Sequence, residues 1–166
     1  MSEKTLVMIR HAKSSWNEPG LADFDRGLNK RGKEDAPLIA ETLIKEKIYP
    51  QQVILSSSKR TRSTWKRMNK LFELDKSAVH AYDQLYHSTP GEILKTINLQ
   101  SDAVDTMFCI VHNPGITGFV NLMCGTDIFN IPTTGVAVIK VPSFSKLEMG
   151  EGELLHYFYP KQFKTD

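Results

Sequence analysis

Two histidines occupy matching places in this chain: His11 closes the run TLVMIRH and His112 closes MFCIVH, each at the polar end of a short, uninterrupted apolar stretch. Arg10 precedes the first histidine, and Arg60 stands just past a third apolar run, QVIL, and the serines that follow it. Imidazoles are suited to nucleophilic, acid–base or ligating work, and guanidinium groups to gripping oxyanions. One histidine after a strand is more often structural, but two with the same strand-to-loop placement point to a shared site.

The elements that must position these residues are legible from pattern. Thr5–Ile9, Gln52–Leu55 and Met107–Val111 lack the polar alternation of a half-exposed strand and predict central strands buried on both faces. Between them lie helical patterns. Asn29 offers a cap for a helix with apolar positions at Ala36, Ile39, Ala40, Leu43 and Ile44, in which Pro37 predicts a kink or a second start. A second helix is expected from Lys59 to Phe72, its inner stripe being Thr61, Thr64, Trp65, Met68, Leu71 and Phe72. Val79–Tyr82 predicts a short strand, Pro90 starts a helix through Ile97, and Pro114 suits the first turn of a helix ending near Met123. Gly135–Val141 and Leu154–Tyr159 are late strands, a hairpin or mixed edge, with SFSKLEMGEGE between them as the best candidate for a mobile loop. Strands alternating with helices imply a three-layer α/β/α sandwich around a mostly parallel mixed sheet, one domain over residues 1–166. In such a sheet ligands bind at the carboxyl ends of the strands, so Arg10, His11, the turn before Arg60 and His112 meet there.

Composition narrows the classes. With 166 residues and 40% apolar content the chain can bury a core without staples. Cys109 and Cys124 lack zinc or disulfide-scaffold spacing and read as buried free thiols. The first apolar run is too brief for a signal peptide or a membrane span, so a cytoplasmic location is expected. A net charge of +2 does not suggest a nucleic-acid binder. Basic residues gather locally, at Lys30, Arg31 and Lys33 and at Lys59, Arg60, Arg62, Lys66 and Arg67, each group opening a helix whose dipole disfavours cations. A solvated helix face is the expectation for most of them.

Read together, LVMIRHAKSSWN, DFDRGLNKRG, ILSSSKRTRSTW, IVHNPG and IPTTGVAVIKV resemble, in order and over nearly the whole chain, the histidine phosphatase (phosphoglycerate mutase-like) superfamily, and within it the short phosphohistidine phosphatases. Ala12 and Lys13 depart from the wider superfamily, and Ser58 stands where other branches have proline. The resemblance implies that His11 is the nucleophile, that Arg10, Arg60 and His112 clamp the phosphoryl oxygens, and that Asn17 lies against the phosphate. Lys13 is a candidate to line the same site. The implied chemistry is physically coherent. Nearby guanidiniums keep His11 neutral, the clamp neutralises charge gathering on the phosphoryl oxygens, and a phosphohistidine intermediate is released by water as inorganic phosphate with no cofactor or metal.

A general acid is harder to place. Asp83 and His87 in HAYDQLYHSTPGEI are candidates, and Glu92 sits deeper in a helix. Without an acid, substrates with good leaving groups are favoured, a phosphohistidine among them. Short connections leave few residues for a lid, which suits a phosphorylated protein substrate. Two other outcomes stay within reach: a small-molecule phosphomonoesterase, and a non-catalytic phosphate-binding protein on the same fold. A metal hydrolase built from His11, His87, His112 and Asp83 lacks ligand spacing and would set a cation beside two arginines.

Overall fold

The computed structural model describes residues 3–164; Met1, Ser2, Thr165 and Asp166 of the expected 1–166 domain lie outside the described residues. Four helices and six strands follow in the order β1 (Lys4–Arg10), α1 (Lys30–Lys45), β2 (Gln52–Ser56), α2 (Lys59–Phe72), β3 (Val79–Tyr82), α3 (Pro90–Asn98), β4 (Thr106–Val111), α4 (Gly115–Cys124), β5 (Val136–Val141) and β6 (Glu153–Phe158). They form one mixed sheet in the order β3-β2-β4-β1-β5-β6. β1 to β4 run parallel, β5 is antiparallel to β1, and β6 closes the edge antiparallel to β5.

Strand alternation splits the interior into two cores. Leu6 and Met8 face one side, where Ile93, Ile97, Ile116 and Phe119 of α3 and α4 cover them. Val7 and Ile9 face the other, against Ala36, Ile39 and Leu43 of α1 and Trp65 and Met68 of α2. This is the expected three-layer sandwich. The helices that follow the neighbouring strands β1 and β4 therefore lie on opposite faces, which opens a crevice between the carboxyl ends of these two strands. The register finishes the work: Arg10 pairs with Val111 and Leu55 with Ile110, so His11, Ser56 and His112 emerge side by side.

Several local expectations change. Pro37 lies inside one continuous helix rather than starting a second. Pro114 sits one residue ahead of α4, after a cis Asn113–Pro114 bond. The loop after β5 is pinned rather than loose: Phe144 and Leu147 are buried, Asp102 accepts from the Phe144 N–H and the Ser143 and Ser145 hydroxyls, and Asn98 donates to the Phe144 and Leu147 carbonyls. Cys109 is buried, but Cys124 is only half-buried; both are free. No described helix is long and apolar enough to cross a membrane.

Candidate active site

His11, 7% exposed, directly follows β1, with its Nδ1 2.8 Å from the carbonyl of Ala12. A carbonyl can only accept, so Nδ1 carries the proton and Nε2 keeps its lone pair. The Arg60 Nε–H approaches that Nε2 at 3.4 Å. Burial, and then the positive fields of Arg60, Arg10 and Arg26, lower the His11 pKa to about 3 against the opposing pull of the Ala12 carbonyl. At neutral pH the ring is an uncharged imidazole with a fixed tautomer and an Nε2 lone pair free to react.

The loop that carries His11 is tied to its neighbours. Thr64 accepts from the Ala12 N–H at 2.9 Å and donates to the Arg60 carbonyl at 2.7 Å, so one threonine of α2 couples the His11 loop to the helix that carries Arg60. Thr134 donates its backbone N–H to the carbonyls of Arg10 and His11, both at 3.0 Å. Gly32 lets the first turn of α1 approach the same loop: a Cβ there would lie 2.2 Å from the Lys13 carbonyl oxygen. Gly115 does the same for α4 against the Ser88 carbonyl, next to His87.

His112 lies with its ring centroid 5.2 Å from that of His11. Its Nε2 is 2.8 Å from the Ser56 hydroxyl and 3.5 Å from that of Ser58. Its buried Nδ1 has no partner among the described residues, and the same holds for Nε of Arg10 and Oγ1 of Thr134. Burial, with His11, Arg60 and His87 adding to it against the pull of Asp23, lowers the His112 pKa to about 2. Arg10 reaches the Ile131 carbonyl at 2.8 Å. Arg60, 3% exposed, donates to the Asp23 carbonyl and carboxylate at 2.8 and 3.1 Å.

Asp23 is a central group that sequence reasoning missed. Its Oδ1 accepts from Arg26 at 2.8 and 3.1 Å; its Oδ2 accepts from Arg60 at 3.1 Å and from the Tyr86 hydroxyl at 2.5 Å, and lies 3.2 Å from His87 Nε2. Partial burial pulls its pKa up, but the Tyr86 hydroxyl and the two guanidiniums outweigh this and hold it well below the ordinary carboxylate range. Arg26, which also donates to Ser14 at 2.8 Å, was missed with it. Both stand in DFDRG, a polar stretch outside any periodic element, where the D-x-x-R spacing is the only local signal.

The resulting cleft has a volume of about 270 Å³ and is lined by Arg10, His11, Lys13, Asp23, Arg60, His87 and His112, with Trp16 and Thr133 at its edge. Four of the expected residues, Arg10, His11, Arg60 and His112, thus meet, and Lys13 and His87 join them. Asn17 and Asp83 do not. Asn17 is exposed on the wall of a neighbouring groove. Asp83 begins a 3-10 turn after β3 and accepts from Ser57 at 2.5 Å instead of facing the cleft. Glu92 caps α3 through a reciprocal pair with Thr89, which removes it as an acid for this site. Trp16, at the edge of the cleft, is 73% exposed, with the Arg26 guanidinium 3.6 Å from its ring centroid. Trp65 is buried on the expected stripe.

A parallel-sheet crevice holding a neutral histidine between guanidiniums defines an oxyanion-transfer site of the phosphatase kind. The chain matches the model of the histidine phosphatase superfamily (branch 1) over residues 6–85. It is 29% identical over 145 residues to an uncharacterized chloroplast protein of Arabidopsis thaliana, covering 82% of this chain and 66% of that protein, so the chain spans about two thirds of this relative's length. An uncharacterized protein of Mycobacterium tuberculosis is also 29% identical, over 92% of this chain and 100% of its own length. Among solved structures, the putative phosphohistidine phosphatase SixA of Agrobacterium tumefaciens superposes with a TM-score of 0.80 at 27% identity, covering 95% of this chain and 98% of that one. The protein histidine phosphatase SixA complexed with tungstate shares the fold, with a TM-score of 0.83, 18% identity, and coverage of 96% and 99%.

Proposed function

We propose that this phosphatase takes a phosphoryl group onto Nε2 of His11 and that its substrate is a phosphohistidine on a protein. The observation that carries the choice of substrate is the state of Asp23. It is the one carboxylate lining the cleft among the described residues, and Tyr86, Arg26 and Arg60 hold it ionised. An alkoxide leaving group needs a proton that an ionised Asp23 does not have; an imidazole departs without becoming a strong base.

In the first step the His11 Nε2 lone pair attacks phosphorus and the bond from phosphorus to the substrate's ring nitrogen breaks; that nitrogen keeps the electron pair, and because the other nitrogen of the substrate ring already carries a proton taken from solvent, the leaving group is a neutral imidazole. Arg10 and Arg60 neutralise the charge on the three phosphoryl oxygens, and His112, held by Ser56, hydrogen-bonds to them. Water then attacks phospho-His11 and releases inorganic phosphate. With guanidiniums supplying the positive charge, this reading uses no metal. That a SixA of the same fold was solved with tungstate, an oxyanion of phosphate-like geometry, supports an anion in this cleft. We place the reaction in the cytoplasm, which the two free thiols suit.

A second reading, hydrolysis of small phosphate esters, is favoured by one contact: His87 beside Asp23 is placed to hand a proton to a leaving oxygen. The test is a side-by-side assay of a phosphohistidine-bearing protein domain and a panel of alkyl and aryl phosphates, with His11→Ala as control. Preference for the phosphoprotein, and 32P label trapped on the parent but not on the variant, is expected. A preference for alkyl esters by orders of magnitude would refute the substrate assignment.

A further inference from the structure

Beside the catalytic cleft, separated from it by Arg26, lies a larger groove of about 590 Å³. Lys30 and Lys33 of α1 line it together with Lys59, Lys66, Arg67 and Lys70 of α2, and Glu18 is its only acid. None of these six cations forms a salt bridge among the described residues, in contrast to Arg31, which reaches Asp35 at 3.4 Å. Their placement also works against the helices that carry them. Lys30, Lys33 and Lys59 stand in the opening turns of α1 and α2, neither of which has an acidic residue in its first turn, although helix dipoles favour anions there. A local rule broken at two adjacent helices, with both sets of cations converging on one concavity, is explained by an external polyanion better than by solvation.

What kind of polyanion is decided by the rim. Trp16, 73% exposed and lying on Arg26, borders the cleft, and Leu21, 38% exposed, lines the groove. An exposed tryptophan anchor flanked by charge is the make-up of a protein-binding surface, and a small polyphosphate has no use for it. Lysines on long flexible stems suit a spread of carboxylates rather than one phosphate gripped in a fixed fork.

We propose that this groove docks the acidic surface of the phosphorylated protein substrate, with Trp16 and Leu21 as apolar anchors, while the phosphohistidine enters the cleft on the far side of Arg26. This rests on the phosphohistidine reading above and deepens it: the groove selects acidic carriers, and the cleft alone serves small substrates. Lys59, adjacent in sequence to Arg60, makes the two sites continuous. Attraction across such a groove raises the encounter rate and falls steeply with salt.

The test uses the full chain and the charge-reversed variant Lys33→Glu/Lys66→Glu/Lys70→Glu, all three side chains being exposed and outside the cleft. Two probes are compared: an acidic phosphotransfer domain phosphorylated on histidine, and para-nitrophenyl phosphate. Binding of the unphosphorylated domain to the parent and the variant is measured separately by fluorescence anisotropy. The variant is expected to lose roughly 10- to 100-fold in kcat/KM on the phosphodomain through KM, with unchanged turnover of the aryl phosphate and with the parent's salt dependence flattened. Phosphodomain turnover equal in parent and variant overturns the docking inference and leaves the phosphohistidine reading intact. Equal losses on both probes overturn it too, because the groove then serves the fold or the phosphate site. If the parent binds the acidic domain and the variant does not, but neither dephosphorylates it, docking is supported and the phosphohistidine reading fails. If the parent neither binds nor dephosphorylates the domain, both fail.

Discussion

Burying two neutral imidazoles should make the fold sensitive to acid in a range where most proteins are comfortable. The ordinary histidine value is 6.5, and the folded values of His11 and His112 are about 3 and about 2. Both are depressed, so the unfolded chain binds more protons than the folded one below pH 6.5. The stabilising contribution is therefore complete above that pH and is lost progressively as pH falls toward about 3. Between pH 7 and pH 5 the loss depends only on the unfolded value, provided that the folded values lie below 5, and comes to about 2 kcal/mol for each ring. Two rings give about 4 kcal/mol, or a urea midpoint lower by about 2 M for a typical slope. Asp23, also depressed, adds nothing here because its window lies below the ordinary carboxylate value. Urea titrations at pH 7 and pH 5 on the parent, His11→Asn and His112→Asn measure the effect, and each substitution should remove about half of it. A parent whose midpoint is unchanged between the two pH values, or variants as acid-sensitive as the parent, would show that the rings are not held neutral and would remove the physical basis for His11 as a nucleophile. Titration of the His11 ring by NMR, expected to stay neutral at pH 5, is the direct companion.

Three further outcomes follow from single contacts. Gly32→Ala puts a Cβ against the Lys13 carbonyl, backbone against backbone; it should cost about 1–3 kcal/mol in denaturant unfolding and lower kcat by displacing the His11 loop. Asp23→Asn removes the anion shared by Arg26, Arg60 and Tyr86, and kcat/KM for phosphohistidine and aryl phosphate should fall together; a loss confined to poor leaving groups would instead make Asp23 the proton donor. Thr64→Val strips the Ala12 N–H of its acceptor in a buried place, for a loss of about 1–3 kcal/mol in stability and a lower kcat at similar KM, checked by urea unfolding and steady-state kinetics.

The residues legible in the sequence were those whose position follows from one element. Arg10, His11 and His112 end apolar strands, Arg60 opens a helix after another, and strand-end chemistry in a parallel sheet then brings them together. The residues that escaped depend on loops folding back. Asp23 reaches Arg60 because Ser15 and Asn29 bond across to Gly27 and Lys13, and the Ser14–Leu28 bridge turns 12–29 into a flap lying over the strand ends. No periodicity announces such a flap. Asn17 and Asp83 failed for the same reason in reverse: each is near a site residue in sequence, but the local chain turns it outward. The loop at 143–152 looked loose because its glycines and charges mask Phe144 and Leu147, whose burial depends on Asp102 and Asn98 some forty residues away.

Charge balance explains why these missed residues belong to the site. Arg10, Arg26 and Arg60 around two histidines would repel one another in a place shielded from water, and the lowered pKa of Arg10, caused by burial and by Arg60, is a sign of that pressure. Asp23 relieves it from one side without contacting the His11 nitrogen. Because Asp23 is held by Arg26 and Tyr86 as well as by Arg60, the phosphoryl group of the proposed reaction can share Arg60 without having to displace a free counter-ion. The arrangement keeps the guanidiniums aimed before substrate arrives and leaves His11 uncharged, two conditions that a set of arginines and histidines alone would not satisfy together.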